Sequence, residues 1–211
     1  MTANEDTVRQ AAEYLAAHDA VLAPVIRSAG PCTIRPHKNY YQELVDSIIS
    51  QQLSVKAAAT IEKRFCMLFE GENFPSPEAI LTKSVDELRT AGLSRGKAAY
   101  VRDLAQHIIE GKVKFDHLDA LSNEQVIKEL TAVKGIGEWT AHMFMMFCMG
   151  RLDVLAHGDL GVKNGIQKLY GLTGQPDAAG VQRIAKKYRW HPYESVACWY
   201  IWHSLDNKPA L

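Results

Sequence analysis

Apolar residues recur every three or four positions along most of the chain, which is the spacing of amphipathic helices. The pattern is clear over residues 4–18 and again over residues 40–69. In the second range it consists of Leu44, Ile48, Ile49, Leu53, Val55, Ala59, Phe65, Leu68 and Phe69. The alternation that is typical of strands is nearly absent, and its best candidate is the proline-bounded segment 31–36. We therefore predict an all-α fold with short loops.

Local signals mark where several of these helices begin and end. Ser84 with Glu87, and Ser122 with Gln125, have the spacing of capping boxes that open helices. Glycines stand where predicted helices end or turn, at Gly92, Gly111, Gly135, Gly150 and Gly171. The segments 85–98 and 126–141 each place a glycine turn between two helical patterns, and we interpret them as two helical hairpins.

Charge and composition narrow the possible classes of protein. The chain has 211 residues, 47% hydrophobic and 23% charged, which is ordinary for a soluble globular protein. The net charge of zero excludes a polycation that wraps nucleic acid over its whole surface. Residues 160–191, however, hold six Lys or Arg and a single acid. This local excess fits phosphate contact on one face, or simply a solvated face.

The cysteines and the N-terminus suggest a reducing compartment. The four cysteines lie far apart, at Cys32, Cys66, Cys148 and Cys198, which argues against zinc, iron–sulfur and disulfide frameworks. No 18-residue apolar run exists, and the acidic N-terminus lacks the apolar stretch of an export signal. We expect a monomer without membrane contact in the cytoplasm or nucleoid, or in the nucleus of a eukaryote.

The segment 130–163 carries the most specific chemistry. Gly135, Ile136 and Gly137 form a glycine hairpin between two helical patterns. Glycines permit positive φ and a close approach of the backbone, so free N–H groups at the second helix can face a phosphate. Ile136 would anchor the hairpin in the core. The alternative is a turn with a structural role alone.

Asp159 follows the second glycine by 22 positions and stands directly before another helical pattern. One reading is a helix N-cap, for which aspartate is well suited. The other is a catalytic carboxylate that stabilises developing positive charge. Both readings can hold together, because the positive end of a helix stabilises a negative charge.

Four blocks, at residues 46–61, 92–105, 130–166 and 190–202, resemble the helix–hairpin–helix DNA glycosylases. The resemblance is to the 3-methyladenine DNA glycosylase II branch, in its short form without the extra N-terminal domain. It implies two helical lobes around a cleft that receives the flipped nucleotide. The expected lobes are residues 36–150, which include the hairpin, and residues 1–35 with 151–211.

The resemblance also implies roles for residues around the flipped base. Asp159 matches the family's catalytic aspartate, although relatives often have a second aspartate where Gly158 stands. Trp139 stands where bifunctional members carry a nucleophilic lysine, which implies a monofunctional enzyme. The remaining base-pocket candidates are Trp202, Met143 and His203. Met143 and His203 depart from the family's pattern, since relatives often have aromatic residues at these two positions.

Further residues match the family's contacts with DNA. The residues that fill the gap left by the flipped base are Gln51, Gln52 and Leu53. The remaining candidates for DNA contact are Ser94, Arg95, Lys97, Gly135, Gly137, Thr140 and Lys163. The carbonyls of Thr131, Val133 and Ile136 match a site for Na⁺ or K⁺, and the resemblance implies no required cofactor and no iron–sulfur cluster. Relatives usually have arginine where Glu194 stands.

The resemblance implies a repair enzyme that hydrolytically excises alkylated purines, 3-methyladenine and 7-methylguanine, from double-stranded DNA. The alternative is a helix–hairpin–helix protein that binds damaged DNA with weak or no excision. Asp159 favours the enzyme. In a protein that only binds DNA, a carboxylate beside the phosphate clamp would repel the phosphates and serve no purpose. Excision of oxidised purines or of mismatched thymine is disfavoured by Trp139 and by the absence of cluster cysteines.

Overall fold

The computed structural model of the protein describes residues 2–37, 39–69 and 73–205. Within these residues the regular secondary structure is helical, and an isolated bridge pairs Thr2 with Arg151. The prediction of an all-α fold is therefore confirmed. The segment 31–36 forms no strand, although Cys32 and Ile34 within it are buried. In this described part of the chain, no helix has the length and apolar character needed to cross a membrane.

The chain forms two compact units. The terminal unit comprises Met1–Lys38 and His142–Leu211, and the central unit comprises Asn39–Ala141. The central unit ends between Ala141 and His142, inside a helix. From the sequence we expected this lobe to end at residue 150.

The central unit is built around one long helix. Its elements are α3 (Tyr40–Ser50), α4 (Val55–Cys66), α5 (Pro77–Thr82), α6 (Val85–Arg89), α7 (Arg95–Ile109), a 3₁₀ turn (Leu118–Ala120), α8 (Asn123–Thr131) and the start of α9 (Glu138–Met143). The long helix α7 packs against α3, α5 and α6. The fully buried side chains of the central unit include Leu44, Ile48, Phe65, Ile80, Leu88 and Leu104. This core fixes the turns at which the helices meet.

The apolar pattern over residues 40–69 belongs to two helices and not to one. Helix α3 ends at Ser50, and Ser54 opens α4 by accepting a hydrogen bond from the Ala57 N–H. Leu53, which continued the apolar spacing, lies in the intervening loop with 38% of its surface exposed. The capping boxes at Ser84 and Ser122 are present as predicted, and both helical hairpins form.

The terminal unit surrounds a buried helix. It contains α1 (Glu5–His18), α2 (Leu22–Ala29), a π-helical turn (Phe144–Cys148), α10 (Leu160–Leu169), α11 (Ala178–Lys187) and α12 (Glu194–His203). Helix α12 packs against α1, α2 and α10, and its residues from Ser195 to Trp202 are buried. Gly165 lets α10 approach α12 closely, since a Cβ there would lie 2.3 Å from Ile201 Cγ2. This close packing positions the beginning of α10.

Asp19 is a fully buried acid that ties this unit together. Its Oδ1 accepts the backbone N–H groups of Val21 (2.9 Å) and Leu22 (3.0 Å). Its Oδ2 accepts the Tyr170 hydroxyl (2.5 Å) and the Trp190 indole N–H (2.8 Å). Burial, followed by the hydrogen bond to Asp19, raises the pKa of Tyr170, so this phenol stays a donor. One carboxylate thus joins the α1–α2 turn to Tyr170 and Trp190, which are 151 and 171 positions away in sequence.

Candidate functional site

The glycine hairpin lies between α8 and α9, and its two glycines have different roles. Gly135 adopts φ +88°, and a Cβ there would lie 2.3 Å from the Tyr100 ring. Glycine is therefore required at this position both by conformation and by close packing. A Cβ on Gly137 would meet none of the described atoms within 4 Å, so that side of the hairpin is open to a ligand. Ile136 is 4% exposed and anchors the hairpin as predicted.

Three further contacts hold the hairpin in place. The Ile136 N–H donates to the Val133 carbonyl (3.1 Å), which closes the turn. Asp103 Oδ2 on α7 accepts the Lys134 N–H (2.9 Å), and Gln51 Nε2 donates to the Gly135 carbonyl (2.8 Å). The hairpin backbone is thus fixed before any ligand arrives, which is the condition for binding phosphate at little conformational cost.

The three residues predicted to fill the gap in DNA occupy the loop between α3 and α4. Gln51 is half-buried, and its side chain is used internally by the bond to Gly135. Gln52 is exposed and has φ +58°, a left-handed conformation that is rare for a residue with a side chain. Leu53 is also exposed. Gln52 and Leu53 therefore carry the side chains that this loop presents outward.

The predicted phosphate contacts at the start of α7 also include both exposed residues and one whose side chain is bonded within the protein. Ser94 is the N-cap of α7, and exposed Arg95 forms a surface ion pair with Asp86 (3.2 Å) that costs little to exchange for a phosphate. Lys97 Nζ, in contrast, donates to the carbonyls of Ile49 (2.7 Å) and Gln51 (2.5 Å). Partial burial lowers the pKa of Lys97. Two donors of the Lys97 ammonium are thus used by the backbone, and a contact of Lys97 with phosphate stays a prediction.

Trp139 and Thr140 are neighbours on α9 with opposite environments. Trp139 is 52% exposed, so it is a surface residue and not part of the core. Thr140 is only 7% exposed. Adjacent residues on a helix point in directions about 100° apart, so one side chain faces outward while the other is covered. The Thr140 side chain is therefore covered, and a contact of Thr140 with DNA stays a prediction.

Asp159 in the terminal unit is held in one orientation. It is the N-cap of α10, and its Oδ1 accepts the Val162 N–H (2.7 Å) and the Trp202 indole N–H (2.8 Å). Gly161 makes the second bond possible, because a Cβ there would lie 2.8 Å from Trp202 Cδ1. The N-cap reading of the sequence is confirmed. The same geometry gives a fixed carboxylate beside the positive end of a helix, which is an arrangement suited to stabilising a nearby cation.

Trp202 is placed to orient this carboxylate. Its side chain is 8% exposed and lies against Phe147, with ring centroids 5.8 Å apart. Met143, half-buried, is the last residue of α9. The His203 ring packs on Trp199 at 3.7 Å. Trp202 is thus a base-pocket candidate that also holds Asp159 through its indole N–H.

Lys163 and His157 flank Asp159 in sequence. Lys163 is half-buried on α10, and its backbone N–H donates to the Asp159 carbonyl (3.0 Å). His157 packs edge-on against His142, with ring centroids 5.3 Å apart. Both residues therefore belong to the local structure that carries Asp159.

Glu194, the departure from the arginine of relatives, begins α12. Its Oε1 lies 3.0 Å from His191 Nδ1, and burial raises the pKa of Glu194. One carboxylate oxygen of Glu194 thus has a neighbouring histidine as its partner, while Oε2 is buried without a hydrogen-bond partner among the described residues.

Two residues that fix the hairpin were not identified from the sequence. Tyr100 packs against Gly135, and Asp103 holds the Lys134 N–H. Their spacing of three places both on one face of α7, and this was the available signal. Asp159 and Trp202 are 43 positions apart, and no sequence pattern predicts their hydrogen bond.

A glycine turn that joins two helices and leaves one glycine open defines a helix–hairpin–helix protein. The chain belongs to the HhH-GPD superfamily of base excision DNA repair proteins, whose sequence model matches residues 45–190. This confirms the resemblance drawn from the sequence.

Named relatives are similar over most of their length. DNA-3-methyladenine glycosylase 1 of Schizosaccharomyces pombe is 34% identical over 78% of this chain and 72% of its own. The crystal structure of a DNA-3-methyladenine glycosidase from Bacillus halodurans is 41% identical, with a TM-score of 0.82 over 92% of this chain and 88% of that one. The S. pombe 3-methyladenine DNA glycosylase in complex with abasic DNA is 31% identical, with a TM-score of 0.77 over 92% and 95%.

Proposed function

We propose that this protein is a monofunctional DNA-3-methyladenine glycosylase that removes alkylated purines from double-stranded DNA as the first step of base excision repair. The observation that carries the proposal is the Asp159 carboxylate, fixed at the start of α10 by two N–H donors in a chain of a base excision repair family. Relatives named as 3-methyladenine glycosylases, one of them bound to abasic DNA, support the same substrate class.

Asp159 would act on the sugar of the damaged nucleotide. Alkylation at N3 or N7 gives the purine a positive charge, so the base leaves with the electron pair of the N-glycosidic bond as a neutral molecule. The sugar becomes cationic, and a fixed carboxylate stabilises that cation. Water adds its oxygen to C1′ and loses a proton, which leaves an abasic site. Because the departing base needs no proton, a modest stabilisation of the sugar is sufficient.

Trp139 would contribute to recognition and exclude a lyase reaction. Its exposed indole can stack on a cationic purine through π-stacking and cation–π attraction. An indole cannot attack C1′ as an amine, so no covalent intermediate with DNA forms.

We expect the protein to release 3-methyladenine and 7-methylguanine from methylated genomic DNA and to leave intact abasic sites. Chromatography of the released bases identifies the substrates. Borohydride should trap no protein–DNA adduct, and strand breaks should appear only after alkali. A trapped adduct, or faster release of 8-oxoguanine than of 3-methyladenine, contradicts the proposal. Tight binding to lesion DNA without any release would instead favour the damage-binding alternative.

The hairpin would bind the DNA backbone, which leads to a prediction for its open glycine. We expect Gly137→Leu to keep the fold and to weaken binding to damaged and undamaged duplex alike, by at least about tenfold, because a charge-assisted hydrogen bond to phosphate is lost. Fluorescence anisotropy measures the affinities. Gly135→Ala should instead lower the free energy of unfolding by more than about 1 kcal/mol, because it strains the backbone and meets Tyr100.

Gly174 provides the matched control for Gly137. It also has open space around its Cα among the described residues, but it lies outside the hairpin. Gly174→Leu should leave both stability and DNA affinity unchanged. Equal affinity of Gly137→Leu and the unaltered protein, with an intact circular dichroism spectrum, would exclude the hairpin as the phosphate clamp.

The proposal extends to a monovalent cation at the same turn. The carbonyls of Thr131, Val133 and Ile136 would hold Na⁺ or K⁺, and the ion would offset the charge of the bound phosphate. The proposal is supported by the Ile136–Val133 hydrogen bond, which closes the turn that carries these residues.

A further inference from the structure

The loop between α3 and α4 is fastened at its base by Lys97. Its ammonium donates to the carbonyls of Ile49 and Gln51, at the point where α3 ends. The last carbonyls of a helix lack partners within the helix and carry partial negative charge. Lys97 supplies both the missing donors and the compensating charge. The direction in which the chain leaves α3 is therefore set by a side chain of α7.

The same loop is fastened to the glycine hairpin by Gln51. Its Nε2 donates to the Gly135 carbonyl, and this carbonyl belongs to the peptide group that joins Gly135 to Ile136. The N–H of that peptide group donates to the Val133 carbonyl. The peptide plane is thus held on both sides. The next residue along the chain is Gly137, the glycine that faces open space.

We propose that Lys97 and Gln51 are positioning residues that couple the α3–α4 loop to the hairpin, so that the phosphate clamp and the inserting residues Gln52 and Leu53 move as one piece. This inference rests on the proposed function, since it assigns the loop an inserting role. Its consequence is that a phosphate bound at the hairpin sets the register at which the loop meets the base stack. An insertion misplaced by about 1 Å can lower a catalytic rate about 10²-fold, so such coupling has a direct effect on excision.

The geometry distinguishes this role from a direct phosphate contact by Lys97. Two of the three ammonium donors are used by carbonyls of the protein itself. The side chain is half-buried, and the loss of solvation lowers the pKa of Lys97. A direct phosphate contact could therefore use only the third donor, unless the ammonium gave up one of its hydrogen bonds to the carbonyls of Ile49 and Gln51.

Hydrogen exchange on the free protein tests the coupling without DNA. We expect Gln51→Leu to speed amide exchange about tenfold in residues 134–138, which is what the loss of one hydrogen bond converts to. Lys97→Met should speed exchange in residues 51–54 and, through Gln51, in residues 134–138 as well. Lys128→Met, which removes an exposed lysine of α8 in the same unit, is the control and should change neither segment. Faster exchange in residues 51–54 alone after Lys97→Met would overturn the coupling.

Excision assays test the consequence for repair. Lys97→Met should lower single-turnover excision of 3-methyladenine about 10²-fold, and leave both the affinity for undamaged duplex and its dependence on salt unchanged. The double variant Lys97→Met/Gln51→Leu should lose less than the product of the two single losses, because both act through one loop. If Lys97→Met instead weakens binding to every duplex and lowers the salt slope by about one, Lys97 contacts phosphate and the proposal is wrong.

The two experiments separate the failure of this inference from the failure of the proposed function. If the unaltered protein releases no alkylated base, the proposed function fails, while hydrogen exchange still decides whether loop and hairpin are coupled. If the unaltered protein is active and Lys97→Met excises at the same rate, the positioning role fails and the function stands.

Discussion

Replacing Asp159 with asparagine should lower single-turnover excision of 3-methyladenine by about 10²- to 10³-fold, the cost typical of removing one electrostatic element from an active site. Asparagine has the same shape, and its Oδ1 can still accept the N–H groups of Val162 and Trp202. The local structure is therefore kept, and only the negative charge is lost. The affinity for DNA that contains a lesion should not fall, since the change removes a charge that repels phosphate.

Asp177→Asn is the control for Asp159→Asn. It alters a helix N-cap in the same way but removes no charge from the proposed catalytic position. Asp177 is the N-cap of α11 in the same unit, where its Oδ1 accepts the Gly180 N–H (2.7 Å). Asparagine and aspartate are nearly equivalent as N-caps, so Asp177→Asn should excise at the normal rate. Excision by Asp159→Asn at the rate of the unaltered protein would remove Asp159 from the chemistry and favour a role as a cap alone.

The elements that the sequence predicted well are those set by local physics. Capping boxes at Ser84 and Ser122 depend on residues three positions apart, and both form. Ile136 is buried between two glycines, as the pattern of the hairpin requires. The apolar spacing over residues 40–69 continues across the loop at Leu53, so this pattern did not mark the break between α3 and α4. Apolar periodicity alone does not reveal a loop between two helices when the spacing of three and four continues across it.

The contacts that orient the candidate site could not be predicted, since they join residues distant in sequence. Gln51 reaches Gly135, and Lys97 reaches the end of α3, 46 positions earlier. Lys97 was predicted to contact phosphate because it lies at the start of the second helix in a helical hairpin, and the sequence did not show that its ammonium donates to the carbonyls of Ile49 and Gln51. Likewise, Trp202 was assigned to the base pocket as an aromatic residue, and the sequence did not show that its indole N–H donates to Asp159. The sequence shows the type of each residue, but it does not show which distant residue its side chain contacts.

Asp19 gives the second large expected effect, on stability. We expect Asp19→Asn to lower the free energy of unfolding by about 3 kcal/mol, because an amide nitrogen then replaces one of the two accepting oxygens. If the nitrogen faces Tyr170 and Trp190, it meets the indole N–H, which cannot accept a hydrogen bond. If the amide is turned over, the nitrogen meets the N–H groups of Val21 and Leu22 instead. Neither orientation satisfies the buried donors.

Thermal unfolding measures this cost. For a chain of this size, a loss of about 3 kcal/mol lowers Tm by roughly 10 °C. The exposed Asp177 is again the control, since the asparagine oxygen of Asp177→Asn can still accept the Gly180 N–H in water, and Tm should shift by no more than about 2 °C. If Asp19→Asn unfolds at the temperature of the unaltered protein, the four hydrogen bonds to Asp19 contribute nothing net, and the packing of α12 against α1, α2 and α10 alone holds the terminal unit together.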